Sequence, residues 1–323
     1  MGTEPFRAAV VQAAPAFLER EATIARAADL IGQAGRNGAR LVVFPEAFVP
    51  GYPDWTWSVP ADQDGVLSAL YAQLLDQAVA VPSAATERLG RAARAAGVYL
   101  VIGVNELNAE ASASSLYNTL LFFDPGGRLI GRHRKLVPTG PERLVWAQGD
   151  GSTLEVFDTP LGRLGGLTCW ENYMPLARYA MYAWGAQVHV AATWDRGEPW
   201  ISSMRHIAKE GRVFVIGSCQ TFRRADIPER LGLERFYAGH GEWINVGDSA
   251  IVAPDGRFLA GPARECEQIL YAEVELEPSA VSGAWRFIRQ RGGTVTAALE
   301  GRVRDETPRA FSRRNGRDDA VAD

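Results

Sequence analysis

Cysteine and histidine are scarce in this chain of 323 residues, with three of the first and four of the second. Cys169, Cys219 and Cys266 are an odd set at wide spacing, which argues against a disulfide framework and fits a reducing cytoplasm. His133, His189, His206 and His240 stand apart, and no HExxH or CxxC spacing marks a metal site. A strong charge of one sign is missing too. The net charge of -4 gives no reason to expect nucleic acid or an anionic membrane as partner. No apolar run approaches the roughly 20 residues that span a bilayer. The opening "MGTEPFRAAVVQAAPAF" lacks the basic start and long apolar core of a signal peptide.

What the chain does contain is an alternation of short apolar runs with Ala-rich amphipathic stretches. "RAAVVQAA" reads as a strand and "LEREATIARAADLIGQAGRNGA" as a helix stopped by glycines. "RLVVFPEAF" and "VYLVIGVNE" are buried strands around the helix "SAATERLGRAARAAG". A longer regularity overlies this one. "AARAAGVYLVIGVNE" precedes "TLLFFDPGGRLIGRHR", and much later "IAKEGRVFVIGSCQ" precedes "SAIVAPDGRFLAGPAR". Each half runs from a helix through a strand ending in Val-Ile-Gly to a hairpin turned by Asp-Pro-Gly-Gly or Pro-Asp-Gly. Two similar halves predict an α/β fold with two sheets packed face to face and helices outside. One domain is expected over residues 1–306, followed by a polar, flexible tail from 307 to 323. The Arg-rich "TFRRADIPERLGLERFYAGHGEW" is a lid or an assembly element.

Three segments can carry chemistry. In "GRLGGLTCWENYMPLAR", Cys169 sits between a strand and a helix announced by Pro175, where a turn exposes a nucleophile beside backbone N–H groups. A buried structural thiol is the plain alternative. A thiol also needs activation, because at its ordinary pKa only a few per cent is thiolate at neutral pH. His189, inside "AQVHVAATW", reads as a core histidine and His206 as a structural one. In "LVVFPEAFVPGYP", Glu46 follows a buried strand among apolar neighbours, and desolvation suits such a carboxylate to general base work. In "IGRHRKLVPTGPERLVWAQGDG" a cluster of Arg132, His133, Arg134 and Lys135 reads either as solvated surface or as a loop that turns one fixed cation into a cleft.

Glu46 in "FPEAFVPGYP", Lys135 in "HRKLVPT" and Cys169 in "GGLTCWENYMPLAR", in this order, resemble the nitrilase superfamily of carbon–nitrogen hydrolases. The resemblance covers roughly residues 6 to 277. It implies an αββα four-layer sandwich with internal pseudo-symmetry, and a Glu-Lys-Cys triad with Glu142 as an assisting second glutamate. Cys-Trp-Glu-Asn and "GPERLVWAQGDG" are most similar to the nitrilase branch. "INVGDSAIVAP" departs from it, since many relatives carry Gly-Gly-Ser where this chain has Gly-Asp-Ser. The implied reaction converts an organic nitrile to the acid and ammonia through a Cys169 thioimidate and thioester, without metal or cofactor. An amidase, a carbamoylase or a cyanide-hydrating enzyme would use the same triad, and a catalytically silent assembly protein is the alternative of another class. Tyr52, Trp170, Tyr173, Trp194 and His133 are expected to bind substrate, with Trp55 and Trp57 as further pocket or core aromatics. Relatives form dimers through the helix after the cysteine, so a homodimer or larger assembly in the cytoplasm is expected.

Overall fold

The computed structural model of the chain describes residues 4–276. The first half runs β1 (Phe6–Gln12), α1 (Arg20–Arg36), β2 (Ala39–Val43), α2 (Trp55–Ser58), α3 (Asp64–Asp76), β3 (Val79–Ala80), α4 (Ala84–Ala96), β4 (Tyr99–Leu107), β5 (Leu116–Phe123) and β6 (Leu129–Arg134). The second half runs β7 (Val156–Thr159), β8 (Gly162–Thr168), α5 (Pro175–Ala183), β9 (Val188–Thr193), α6 (Glu198–Gly211), β10 (Phe214–Cys219), β11 (Thr221–Arg223), α7 (Glu234–Tyr237), β12 (Trp243–Val252), β13 (Phe258–Arg264) and β14 (Gln268–Val274). The tail expected from residue 307 lies outside the described residues.

The period-two side-chain alternation of a strand explains why β1 and β2 are apolar almost throughout. Ala8, Val10, Leu41 and Val43 point inward and meet Leu164, Val188, Val190 and Ile216 of the other sheet. Ala9, Val11 and Val42 point outward, against Ile24, Ala27 and Ile31 of α1 and Leu89 and Ala93 of α4. On the second sheet's outer side, Met181 of α5 and Met204 of α6 close over Gly165 and Gly217, positions where a Cβ would sit 3.0 and 2.1 Å from the sulfurs. The result is helix, sheet, sheet and helix in layers.

The internal repeat is visible in the pairing. In one sheet β1, β2 and β4 are parallel neighbours, followed by antiparallel β5 and β6. In the other, β8, β9 and β10 are parallel neighbours, followed by antiparallel β12 and β13. Both hairpins fall where Asp-Pro-Gly-Gly and Pro-Asp-Gly predict them. The repeat places the segment after β2, which holds Glu46, in the same topological position as the segment after β9, which holds Trp194.

Gly103 of β4 fixes the first of these segments. Its backbone lies so close that an added Cβ would stand 2.3 Å from the Pro45 carbonyl oxygen and 2.4 Å from the Ala47 nitrogen. Both contacts are backbone and flank Glu46, so neither can rotate away. Gly103→Ala should therefore cost about 1–3 kcal/mol through overpacking, read as a lowered thermal midpoint. An unchanged midpoint would mean that the Glu46 turn is free to shift.

Candidate active site

Glu46, Lys135 and Cys169 come from the ends of β2, β6 and β8, and the fold brings those ends together. Lys135, one of only two lysines in the chain, is fully buried. Its Nζ donates to Glu46 Oε1 at 2.9 Å and to Glu142 Oε2 at 2.7 Å. Glu46 is further held by Asn118 Nδ2 at 2.6 Å on Oε1 and by the Trp194 backbone N–H at 2.7 Å on Oε2. Glu142 also accepts the Thr139 N–H at 2.6 Å and the Tyr52 hydroxyl at 2.7 Å. Every carboxylate oxygen of Glu46 and Glu142 has a donor, which is what makes an ion-paired cluster tolerable inside a protein.

The sulfur of Cys169 completes the set. Glu46, Glu142 and Cys169 each offer an atom within 4.8 Å of the others. Cys169 opens the 3-10 turn Cys169–Tyr173 with φ of 53°, a left-handed backbone that non-glycine residues adopt at a cost. Asn172 holds the turn, its Nδ2 donating to the carbonyls of Leu167 and Cys169 at 3.2 and 2.9 Å. His189 Nε2 lies 2.8 Å from Asn172 Oδ1. Burial pushes the His189 pKa down to about 4, so the neutral ring donates to Asn172.

Burial and two neighbouring carboxylates set the protonation states. Burial opposes charge on Lys135, but Glu46 and Glu142 outweigh it and raise its pKa, so the ammonium persists. Burial, with the Glu142 charge, raises Glu46 despite Lys135. Burial and the Glu46 carboxylate hold the Cys169 thiol well above the ordinary range, only partly offset by Lys135. At rest the arrangement is a protonated thiol, a basic carboxylate and a fixed cation.

Above Cys169 opens a cavity of about 300 Å³. Tyr52, Trp57, Trp170 and Trp194 line it, with Tyr52 stacked on Trp194 at 4.5 Å and 6° between planes. Two expected lining residues are elsewhere. Tyr173 is half-buried and does not line the cavity: its ring lies edge-on to Trp200, and only its hydroxyl reaches the lining residue Asp195, donating to Oδ2 at 2.9 Å. His133 is buried beneath the site, where Nε2 lies 3.0 Å from both oxygens of Glu171. Trp55 is core.

Other lining residues were not among the expected site residues: Asp54, Thr139, Asp195, Arg196, His240 and Ile244. Ile244 comes from the start of β12 and His240 from the Arg-rich insertion. Its Phe222, Leu233 and Tyr237 pack with Trp55 and Trp194, so it forms one wall of the cavity. The Gly-Asp-Ser departure also has a place here. Asp248 has φ of 80°, where glycine is easier, and its carboxylate accepts the Gly197 N–H at 2.7 Å beside the cavity segment.

Comparison with known proteins agrees with this geometry. The carbon–nitrogen hydrolase family model matches residues 7–281. An aliphatic nitrilase of Sinorhizobium fredii is 46% identical over 275 residues, 84% of this chain and 87% of that protein. A bifunctional nitrilase/nitrile hydratase of Nicotiana tabacum is 41% identical over 281 residues, 85% of this chain and 79% of that protein. In fold, the crystal structure of Saccharomyces cerevisiae Nit3, of the nitrilase superfamily, matches with a TM-score of 0.69 at 22% identity, over 90% of this chain and 95% of that one.

Two measurements test these electrostatics. Lys135→Met strands two buried carboxylates and should cost about 3–5 kcal/mol of unfolding free energy; a loss near zero in a denaturant titration would contradict the buried network. The Glu171 carboxyl is opposed by burial yet lowered by the His133 charge and its backbone donors, while His133 is opposed by burial yet raised by Glu171. Stability from Glu171 is present above its ordinary 4.5 and is lost as pH falls through its lowered value. Stability from His133 is present below its ordinary 6.5 and is lost as pH rises through its raised value. The unfolding midpoint lost in His133→Gln should thus be largest between pH 4.5 and 6.5; a loss independent of pH would contradict the ion pair. By sequence and by the layered arrangement around Cys169, the chain belongs to the carbon–nitrogen hydrolase family.

Proposed function

We propose that the protein is a nitrilase, converting an organic nitrile to the carboxylic acid and ammonia. The observation that carries this reading is the buried Glu46–Lys135–Glu142 cluster with the Cys169 sulfur beside it. The names of the relatives, an aliphatic nitrilase and a bifunctional nitrilase/nitrile hydratase, support it.

Glu46 accepts the thiol proton, the sulfur attacks the nitrile carbon, and Glu46 passes that proton to the nitrile nitrogen, giving a neutral thioimidate and a carboxylate again free to act as base. Splitting the reaction into covalent steps lowers each barrier. Because burial holds the thiol protonated, attack needs the carboxylate as base rather than a standing thiolate. Lys135 stabilises negative charge as it develops on nitrogen and then oxygen, with the Trp170 backbone N–H as a second donor. Water, activated by Glu46, adds to the thioimidate. Ammonia leaves, and a second water cleaves the thioester. Glu142 fixes Lys135 and, through Tyr52, links the cluster to the cavity wall. The 300 Å³ of space and four aromatic walls suit a short, largely apolar nitrile.

Two copies of the chain associate through α5. Leu176, Tyr179 and Trp184 are 83%, 42% and 48% exposed, a large apolar face for one short helix. The cytoplasm suits three cysteines that are all free.

The test is ammonia and acid release from a short aliphatic nitrile such as butyronitrile. Cys169→Ser should abolish it, and Glu46→Gln should lower kcat by about 10²–10⁴-fold. The acid limb of kcat/KM should lie above 4.5, because the base is lost as pH falls through the raised Glu46 value. Ammonia from simple amides but not from nitriles would overturn the assignment, and turnover by Cys169→Ser would overturn the mechanism.

A further inference from the structure

Glu171 takes no part in these steps, yet it is fully buried and both its oxygens are spent on active-site backbone. Oε1 accepts the N–H of Leu136, the residue after Lys135, at 2.6 Å. Oε2 accepts the N–H of Thr168, the residue before Cys169, at 2.7 Å. His133 Nε2, two positions before Lys135 on β6, contacts both oxygens at 3.0 Å. β6 and β8 belong to different sheets. One side chain therefore ties together the two strand ends that deliver the cation and the sulfur, and a second locks it in place.

We propose that Glu171 and His133 are a positioning pair that sets Lys135 relative to Cys169 and thereby directs the thioimidate to acid rather than amide. The inference rests on the nitrilase reading. Water added to the thioimidate gives a carbon bearing hydroxyl, amino and Cys169 sulfur. If the hydroxyl proton passes to nitrogen, the C–N bond breaks, ammonia leaves and a thioester remains for hydrolysis. If it passes to sulfur, the C–S bond breaks, the amide leaves and the thiol is restored. Nothing is oxidised or reduced on either branch. The carrier is Glu46, hydrogen-bonded to Lys135, so the placement of that pair against nitrogen and sulfur selects the branch. A brace spanning both sheets holds this placement to within the fraction of an ångström that oriented proton transfer needs. Loosening it leaves the reacting groups present but lets sulfur compete for the proton.

The experiment compares the wild type with Glu171→Gln, His133→Gln and the double variant on butyronitrile, measuring ammonia, butyrate and butyramide. Glu171→Gln puts an amide donor against a backbone N–H, whereas His133→Gln leaves both backbone contacts intact. The kcat for acid should fall roughly ten- to a hundredfold with KM held within about twofold, and the butyramide share should rise in each variant. The double variant should be no worse than Glu171→Gln, because the two residues act as one unit. An unchanged butyramide share in a folded variant, or losses that multiply in the double variant, would overturn the proposal. If Glu171→Gln does not fold, His133→Gln alone decides by the same criterion. Absence of ammonia and amide from the wild type would instead refute the nitrilase reading itself, a distinguishable result.

Discussion

A lysine ammonium without access to water, shared between two carboxylates, is the constraint on which the rest of this structure depends. Lys135 is neutralised by Glu46 and Glu142 at 2.9 and 2.7 Å. A buried cation and two buried anions are costly to desolvate, and the cluster survives because every oxygen has a donor. Asn118, Trp194, Thr139 and Tyr52 supply those donors from four different segments. The same desolvation that makes the cluster expensive raises the Glu46 pKa, making it a stronger base than a free carboxylate, and keeps the Cys169 thiol protonated until it is needed. Stability and reactivity draw on one set of contacts.

The repeated architecture explains how such a cluster is assembled. Parallel strands end at a common edge, so residues that follow β2, β6, β8 and β9 converge although they are far apart along the chain. Glu46 and Trp194 follow topologically equivalent strands, and the backbone N–H of one binds the carboxylate of the other at 2.7 Å. The two halves thus meet chemically at the site as well as in the core. The insertion before β12 adds the wall that the repeat lacks, placing His240 over the cavity beside Ile244 of β12.

Much of this was legible in the sequence because it is local or periodic. Val-Ile-Gly strands and Asp-Gly turns announced the two halves, and three ordered motifs named Glu46, Lys135 and Cys169. What escaped depends on direction rather than type. The run Arg132, His133, Arg134, Lys135 is a strand end, and alternation sends Arg132 and Arg134 outward to Glu106 while His133 and Lys135 turn inward. Assigning His133 to the substrate missed that Glu171, 38 positions later, completes it. Asn118 lies in an ordinary strand, and only three-dimensional pairing of β5 with β6 aims it at Glu46. Tyr173 has the composition of a pocket residue, but its ring packs edge-on to Trp200 and only its hydroxyl reaches the lining residue Asp195.

Because the chain has only two lysines, isotopic labelling of lysine side chains gives two signals, and the charge of Lys135 can be followed by nuclear magnetic resonance during an alkaline titration. The Lys135 signal should keep its charged position past the ordinary lysine value of 10.5 for as long as the protein stays folded. A Lys135 signal that moved to the neutral position below that value would show that Glu46 and Glu142 do not hold the ammonium.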